Sequence, residues 1–150
     1  MMRFLLTAMF LFIPLSSPLA QDISGFWLTE NERAVIEINP CDRGLCGSIY
    51  WIIEGGMQFD EKNPDPARRQ DPMCGLEIMW GFNQERSGAW ENGRIYKADD
   101  GDTYKAKMRM QDDGTLKLRG YVGFSLFGSS QVWTRADADD YEQCTPAVAG

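Results

Sequence analysis

Residues 103–122, "TYKAKMRMQDDGTLKLRGYV", carry the reading that decides the fold. In the first eight, Tyr104, Ala106, Met108 and Met110 fall on one side, and Lys105, Lys107 and Arg109 on the other. A period of two marks a half-buried strand, because successive side chains of a strand point to opposite faces. After Asp112-Asp113-Gly114 the alternation resumes, with Leu116, Leu118 and Gly120 set against Lys117, Arg119 and Tyr121. An Asp-Gly pair between two alternating runs predicts a tight hairpin, since both residues tolerate the left-handed backbone of such turns.

The same pattern extends in both directions. "GFWLTE" (25–30) reads as a first strand, and "RAVIEI" (33–38) as a second with Ile36 and Ile38 on one face. "LCGSIYWII" (45–53) is the third, and "LEIMWGF" (76–82) the fourth, with Leu76, Ile78, Trp80 and Phe82 together. "GRIYKA" (93–98) follows an Asn92-Gly93 turn signal and forms the fifth. "DDGD" (99–102) then turns the chain into the sixth strand, at the start of the opening stretch. "QVWTR" (131–135) is the eighth, reached through the apolar, glycine-flanked loop "GFSLFGSS" (123–130). Between strands three and four runs a long segment rich in glycine, proline and charge, "EGGMQFDEKNPDPARRQDPMCG" (54–75). Helical spacing is hard to find, and there are no internal repeats.

Eight strands joined mostly by short turns predict an all-β fold, an up-and-down antiparallel barrel with one long loop. Closing the sheet removes the exposed edges that an open sheet would leave. An immunoglobulin-like sandwich is the alternative, but its Cys–Trp–Cys framework does not fit these spacings. The predicted inward set is Trp27, Ile36, Ile38, Trp80, Phe82, Met108, Met110, Leu118 and Trp133. Ala106 and Gly120 would open space among them.

The first twenty residues stand apart. "MMR" followed by "FLLTAMFLFIPL" and the small residues of "SSPLA" reads as a secretory signal peptide over 1–20. The apolar run is short for a bilayer span and Pro14 interrupts it, so residues 21–150 form one exported domain with no membrane span. That chain carries 14 basic residues against 22 acidic ones, a net charge near −8. Nucleic-acid binding is excluded on this ground, because counterion release needs clustered Lys and Arg. Export to the periplasm or beyond makes the four cysteines a disulfide framework. Four cysteines allow three pairings; the turn-forming Asp42-Arg43-Gly44 favours Cys41–Cys46, and Cys74–Cys144 would follow by elimination. A four-thiolate metal site competes with this reading, but the CxxC spacing it favours is absent. The loop-entropy estimate gives the short bridge roughly 2 kcal/mol and the long one roughly 4 kcal/mol.

The chain contains no histidine, which removes Ser-His-Asp and Cys-His centres and every His-ligated metal site. No pair of carboxylates stands out from the acidic background, so no enzyme activity, metal or cofactor is expected.

Gly25-x-Trp27 on the first strand, with Arg135 closing the last, is similar to the lipocalin pattern. The resemblance implies that Trp27 plugs the closed end of the barrel while Arg135 packs across it as a clasp. Nearly the whole chain after residue 20 also resembles a family of exported bacterial proteins of unknown function with a lipocalin-like barrel. Its motifs stand here as "GFW", "CDRGLCGSIYW", "DEKNPDPARRQDPMCG", "NGRIYKADDGDTY" and "LKLRGYVGFSLFGSSQVWTR". Typical lipocalins add a helix after the eighth strand. Here that position holds an acidic tail with Pro146, which the Cys74–Cys144 bridge is expected to brace.

An eight-stranded barrel is wide enough to be filled by side chains or to hold one small ligand. The candidate ligand contacts inside are Trp80, Phe82, Tyr104, Met108, Met110 and Leu118. At the mouth they are Tyr121, Phe124, Phe127, Arg68 and Arg69, the two arginines serving an anionic headgroup or pairing with Asp60 and Asp71. In the same loop Asp60, Asn63 and Asp65 offer oxygens to a cation, or Asn63 or Asp65 caps a single helical turn at a proline. The expected function is binding of a small apolar or amphipathic ligand. The alternative is a plugged barrel that meets an envelope protein through its mid-chain and "GFSLFGSS" loops.

Overall fold

The computed structural model describes residues 22–53 and 55–145. The signal peptide read over residues 1–20 and Pro146 in the tail lie outside the described residues. Eight strands follow in chain order: β1 (Gly25–Leu28), β2 (Ala34–Cys41), β3 (Gly44–Ile52), β4 (Glu77–Gln84), β5 (Trp90–Lys97), β6 (Asp102–Met110), β7 (Leu116–Tyr121) and β8 (Gly128–Arg135). Each pairs antiparallel with its neighbours in sequence, and β8 returns to β1, so the sheet is a closed barrel. The opening stretch behaves as its alternation predicts. Ala106 faces Gly120, Met108 faces Leu118 and Met110 faces Leu116, while Lys107–Arg119 and Arg109–Lys117 pair on the outer face.

Up-and-down connection divides the turns between two ends. The β2–β3, β4–β5 and β6–β7 turns share one end with the Gly25 end of β1 and the Arg135 end of β8. The β1–β2, β3–β4, β5–β6 and β7–β8 connections share the other. Near the first end the core is filled by Trp27, Ile38, Leu45, Met79, Phe82, Met108 and Leu116, all buried. Two glycines make that filling fit. A Cβ at Gly93 would collide with the Phe82 ring, and one at Gly47 would press on Met79.

Strand β4 departs from its predicted face. Its register against β3 slips twice, so Gly47 faces Met79 and Leu45 faces Phe82. Gly81 adopts φ +81° between them. The slips place Ile78, Met79 and Phe82 inward and carry Trp80 out of the core, where the Arg43 guanidinium lies 6.0 Å from its ring. Trp80 is therefore not an interior residue. The Asn92-Gly93 signal is also not a turn: both residues sit inside β5, Asn92 at φ 62°, in a bulge opposite β6. The β4–β5 reversal comes earlier, over Glu85–Ala89, where Gly88 supplies the left-handed position.

Two disulfides fasten the barrel. Cys41 is bonded to Cys46 across the β2–β3 hairpin, and Cys74 to Cys144. After β8 the chain makes a single 3-10 turn at Ala138–Asp140, capped by the Asp137 side chain. It then runs along β3, where the Cys144 N–H donates to the Tyr50 carbonyl at 2.9 Å. No α-helix occurs among the described residues. The bridged tail lies against the barrel wall instead.

Candidate functional site

The core filling stops partway up the barrel. Above it a cavity of about 440 Å³ opens toward the end that carries the β1–β2, β3–β4, β5–β6 and β7–β8 connections. Its inner end is made by Trp133, Leu118, Ile36 and Ile49, all buried. Its walls are Ile78, Ile95, Tyr104 and Gly120, half-buried. Gly120 matters here because its neighbour across the sheet is Ala106, so one stretch of wall carries almost no side chain. The space persists because those two positions are small where β6 and β7 face each other.

Charged groups gather at the rim. Arg33 ends 3.5 Å from Asp99, and Asn31, Lys97 and Gln131 also border the opening. Trp133 turns its indole N–H to the Gln131 side chain at 2.9 Å, which satisfies the one polar atom of the floor. The site is thus an apolar chamber with a charged collar.

The long β3–β4 loop forms one side of the mouth, contributing Met57 and Met73 to the lining. A buried polar cluster anchors it. Asp60 is fully buried, and its carboxylate accepts from the Tyr96 hydroxyl at 2.6 Å and from the Asn63 side-chain amide at 2.7 Å. Burial, and then the hydrogen bond to Asp60, raise the Tyr96 pKa above that of a free phenol, so Tyr96 stays a donor. Asp65 caps a 3-10 turn at Pro66–Arg68 by accepting from the Ala67 N–H. Gly101, at φ +79°, lets the β5–β6 turn meet the Lys62 carbonyl, where a Cβ would collide. The Asp60 carboxylate is engaged by these bonds, and the Asn63 side-chain oxygen accepts from the Asp65 N–H at 2.9 Å. Arg68 pairs with Asp71 at 3.0 Å, and Arg69 donates to the Asn63 carbonyl at 2.9 Å. Neither arginine borders the cavity.

Of the other residues expected to touch a ligand, Tyr104, Leu118, Tyr121 and Phe127 line the chamber. Phe82 and Met108 are buried below it, and Met110 packs against the core nearer the closed end. Phe124 stands exposed at the tip of the β7–β8 loop. Alternation had already turned Ile36 inward without naming it a contact. Met57 and Met73 sit in a loop with no periodicity, and only the folded loop brings them to the mouth.

At the opposite end the clasp is complete. Trp27 is buried and donates its indole N–H to the Ile23 carbonyl at 2.9 Å. The Arg135 guanidinium lies 4.0 Å from the Trp27 ring centroid and donates to the Ser24 and Asp22 carbonyls, each at 2.6 Å. Desolvation lowers its pKa, yet a guanidinium remains a cation. Arg135 thus spans three features at once, the ring and the two carbonyls ahead of β1.

A closed, eight-stranded, up-and-down barrel with a tryptophan-and-arginine seal at one end and an apolar chamber at the other is a lipocalin-like barrel. Residues 25–135 match the family model described as "Uncharacterized protein conserved in bacteria (DUF2147)", and the chain belongs to that family. Among solved structures it is similar to protein HP1028 from Helicobacter pylori, described as belonging to the lipocalin family. The TM-score is 0.70 at 17% identity, covering 79% of this chain and 86% of that one. No curated protein matches the chain.

Proposed function

We propose that the protein binds a small apolar or amphipathic ligand in the upper half of the barrel and performs no reaction of its own. The observation that carries this reading is the chamber of about 440 Å³ with an apolar floor and a polar rim. Ligand sites are commonly of this kind, largely apolar with a few placed polar groups and roughly 300–1,000 Å³ in volume. An acyl or other slender apolar chain fits the arrangement, with its tail against Trp133, Leu118 and Ile36. A polar head would sit near Arg33, Asn31 and Gln131. Burying ten methylenes contributes up to ~8 kcal/mol, so micromolar affinity is about the ceiling of this contribution, and the costs of ordering the ligand lower it.

The same reading makes residues 1–20 a cleaved export signal and places the protein in the periplasm or outside the cell. The two disulfides fit an oxidising compartment. Native mass spectrometry of protein purified from its own host, followed by solvent extraction, tests the proposal. A stoichiometric apolar molecule is the expected result. Protein that arrives empty, and binds no apolar fluorescent probe added afterwards, would sink the carrier reading.

A further inference from the structure

The β7–β8 loop does not look like a connection that merely reverses the chain. Between Tyr121 and Gly128 it exposes Val122, Phe124, Leu126 and Phe127, at 65%, 78%, 80% and 67% of their full surface. Clustered exposure of large apolar side chains marks a contact surface. Two of the four, Val122 and Phe127, also border the cavity, so the patch is continuous with its mouth.

The loop is built to hold these side chains outward. Its backbone closes on itself, with the Val122 N–H donating to the Phe127 carbonyl at 3.1 Å and Phe127 N–H to the Phe124 carbonyl at 3.0 Å. Arg119, on the outer face of β7, donates to the Ser125 carbonyl at 2.6 Å and the Leu126 carbonyl at 3.3 Å. Lys105 reaches the Gly123 carbonyl at 3.5 Å. The carbonyls satisfied in this way enter an apolar medium at less cost than free ones.

We propose that this loop docks the barrel mouth onto a zwitterionic lipid surface, with Phe124, Leu126 and Phe127 seated among the acyl chains. Two observations choose this occupant. Four side chains on one loop fall far short of the roughly 20–30 residues a side of a stable protein interface. The neighbouring loops on the rim carry both signs, with Asp99, Asp100, Asp102, Glu30 and Glu32 beside Arg33 and Lys97, which pair with Asp99 and Asp100. A rim of paired charges on a chain of net charge −7 offers anionic headgroups no attraction, so apolar insertion rather than charge drives the contact. Phe124 and Leu126 stand off the chamber, so a test built on them needs no ligand. The consequence of docking is that an apolar molecule passes between bilayer and chamber without crossing water.

Flotation of the purified protein with phosphatidylcholine vesicles is the test, repeated with phosphatidylglycerol added and at raised salt. The protein floats with pure phosphatidylcholine, raised salt leaves that association intact, and phosphatidylglycerol does not strengthen it. The double variant Phe124→Ser, Leu126→Ser lowers association by roughly tenfold or more, since it removes most of the transferable apolar area. Neither residue borders the chamber, so the variant keeps its fold by circular dichroism and its binding of an apolar probe. That retained binding separates failure of the docking surface from failure of the carrier reading. The proposal is overturned if the wild type does not float, if the variant floats equally well, or if association requires anionic lipid and vanishes in salt. It is equally overturned if sedimentation reveals a dimer that the double variant abolishes while vesicles recover nothing.

Discussion

Arg135 and Tyr96 each hold a segment that strand pairing alone leaves loose. Arg135 fastens the residues ahead of β1, and its ring contact is worth about 0.5–2 kcal/mol according to how far it is desolvated. Arg135→Ala lowers unfolding free energy by at least that amount in urea titration, because two carbonyl hydrogen bonds go with it. Affinity for an apolar probe stays unchanged in the folded fraction, since the clasp and the chamber lie at opposite ends. Tyr96 fastens the β3–β4 loop through Asp60. Tyr96→Phe leaves a fully buried carboxylate one donor short and costs about 1–3 kcal/mol. The pH dependence has a definite sign. A phenol whose pKa rises on folding holds its proton more tightly in the native state, so its contribution is whole below the ordinary value of 10.0 and declines above it. Thermal melts of the wild type therefore lose stability as the solution passes into that alkaline range, and Tyr96→Phe flattens that part of the loss.

Strands with uninterrupted alternation were legible face by face, whereas bulges in β4 and β5 hid which residues turn inward and where the chain reverses. β6 and β7 keep a strict period of two, and their pairing follows from it residue by residue. β4 breaks its period at two slips, which a run of apolar residues such as "LEIMWGF" conceals, because inward and outward positions are both apolar. Trp80 was turned outward for that reason alone. Asn92-Gly93 signals left-handed backbone, which a hairpin turn and a bulge use equally; only the pairing partner distinguishes them. The rim of the site was the least legible part, because Met57, Met73 and the buried Asp60 cluster belong to an aperiodic loop. The bridges that staple these pieces differ in reach. Replacing Cys74 and Cys144 by serine lowers stability by about 4 kcal/mol, against about 2 kcal/mol for the Cys41 and Cys46 pair, as the closed loops are long and short. Paired thermal melts of the two double variants check the order.

At the scale of the whole molecule the barrel divides into a packed half that confers stability and an open half that confers the site. The boundary can be moved by one substitution. A Cβ at Gly120 meets Ile95 and Tyr104 at ordinary contact distance, 3.7 and 3.8 Å, so the backbone there accepts a side chain. Gly120→Leu extends that side chain into the chamber, lowers affinity for an apolar probe by roughly tenfold or more, and leaves the melting temperature at or above that of the wild type. Equilibrium titration and a thermal melt of the same preparation measure both. The clasp has a kinetic meaning as well. Every strand pairing but one joins neighbours in sequence; the β1–β8 pairing must wait for the whole chain, and Arg135 lies 111 residues from the Ser24 carbonyl it grips. Contacts of such long range carry the largest loop-closure cost and form late. A seam that closes last and opens first is the expected consequence, so Arg135→Ala speeds unfolding and leaves the refolding rate unchanged, as stopped-flow measurements in urea would read.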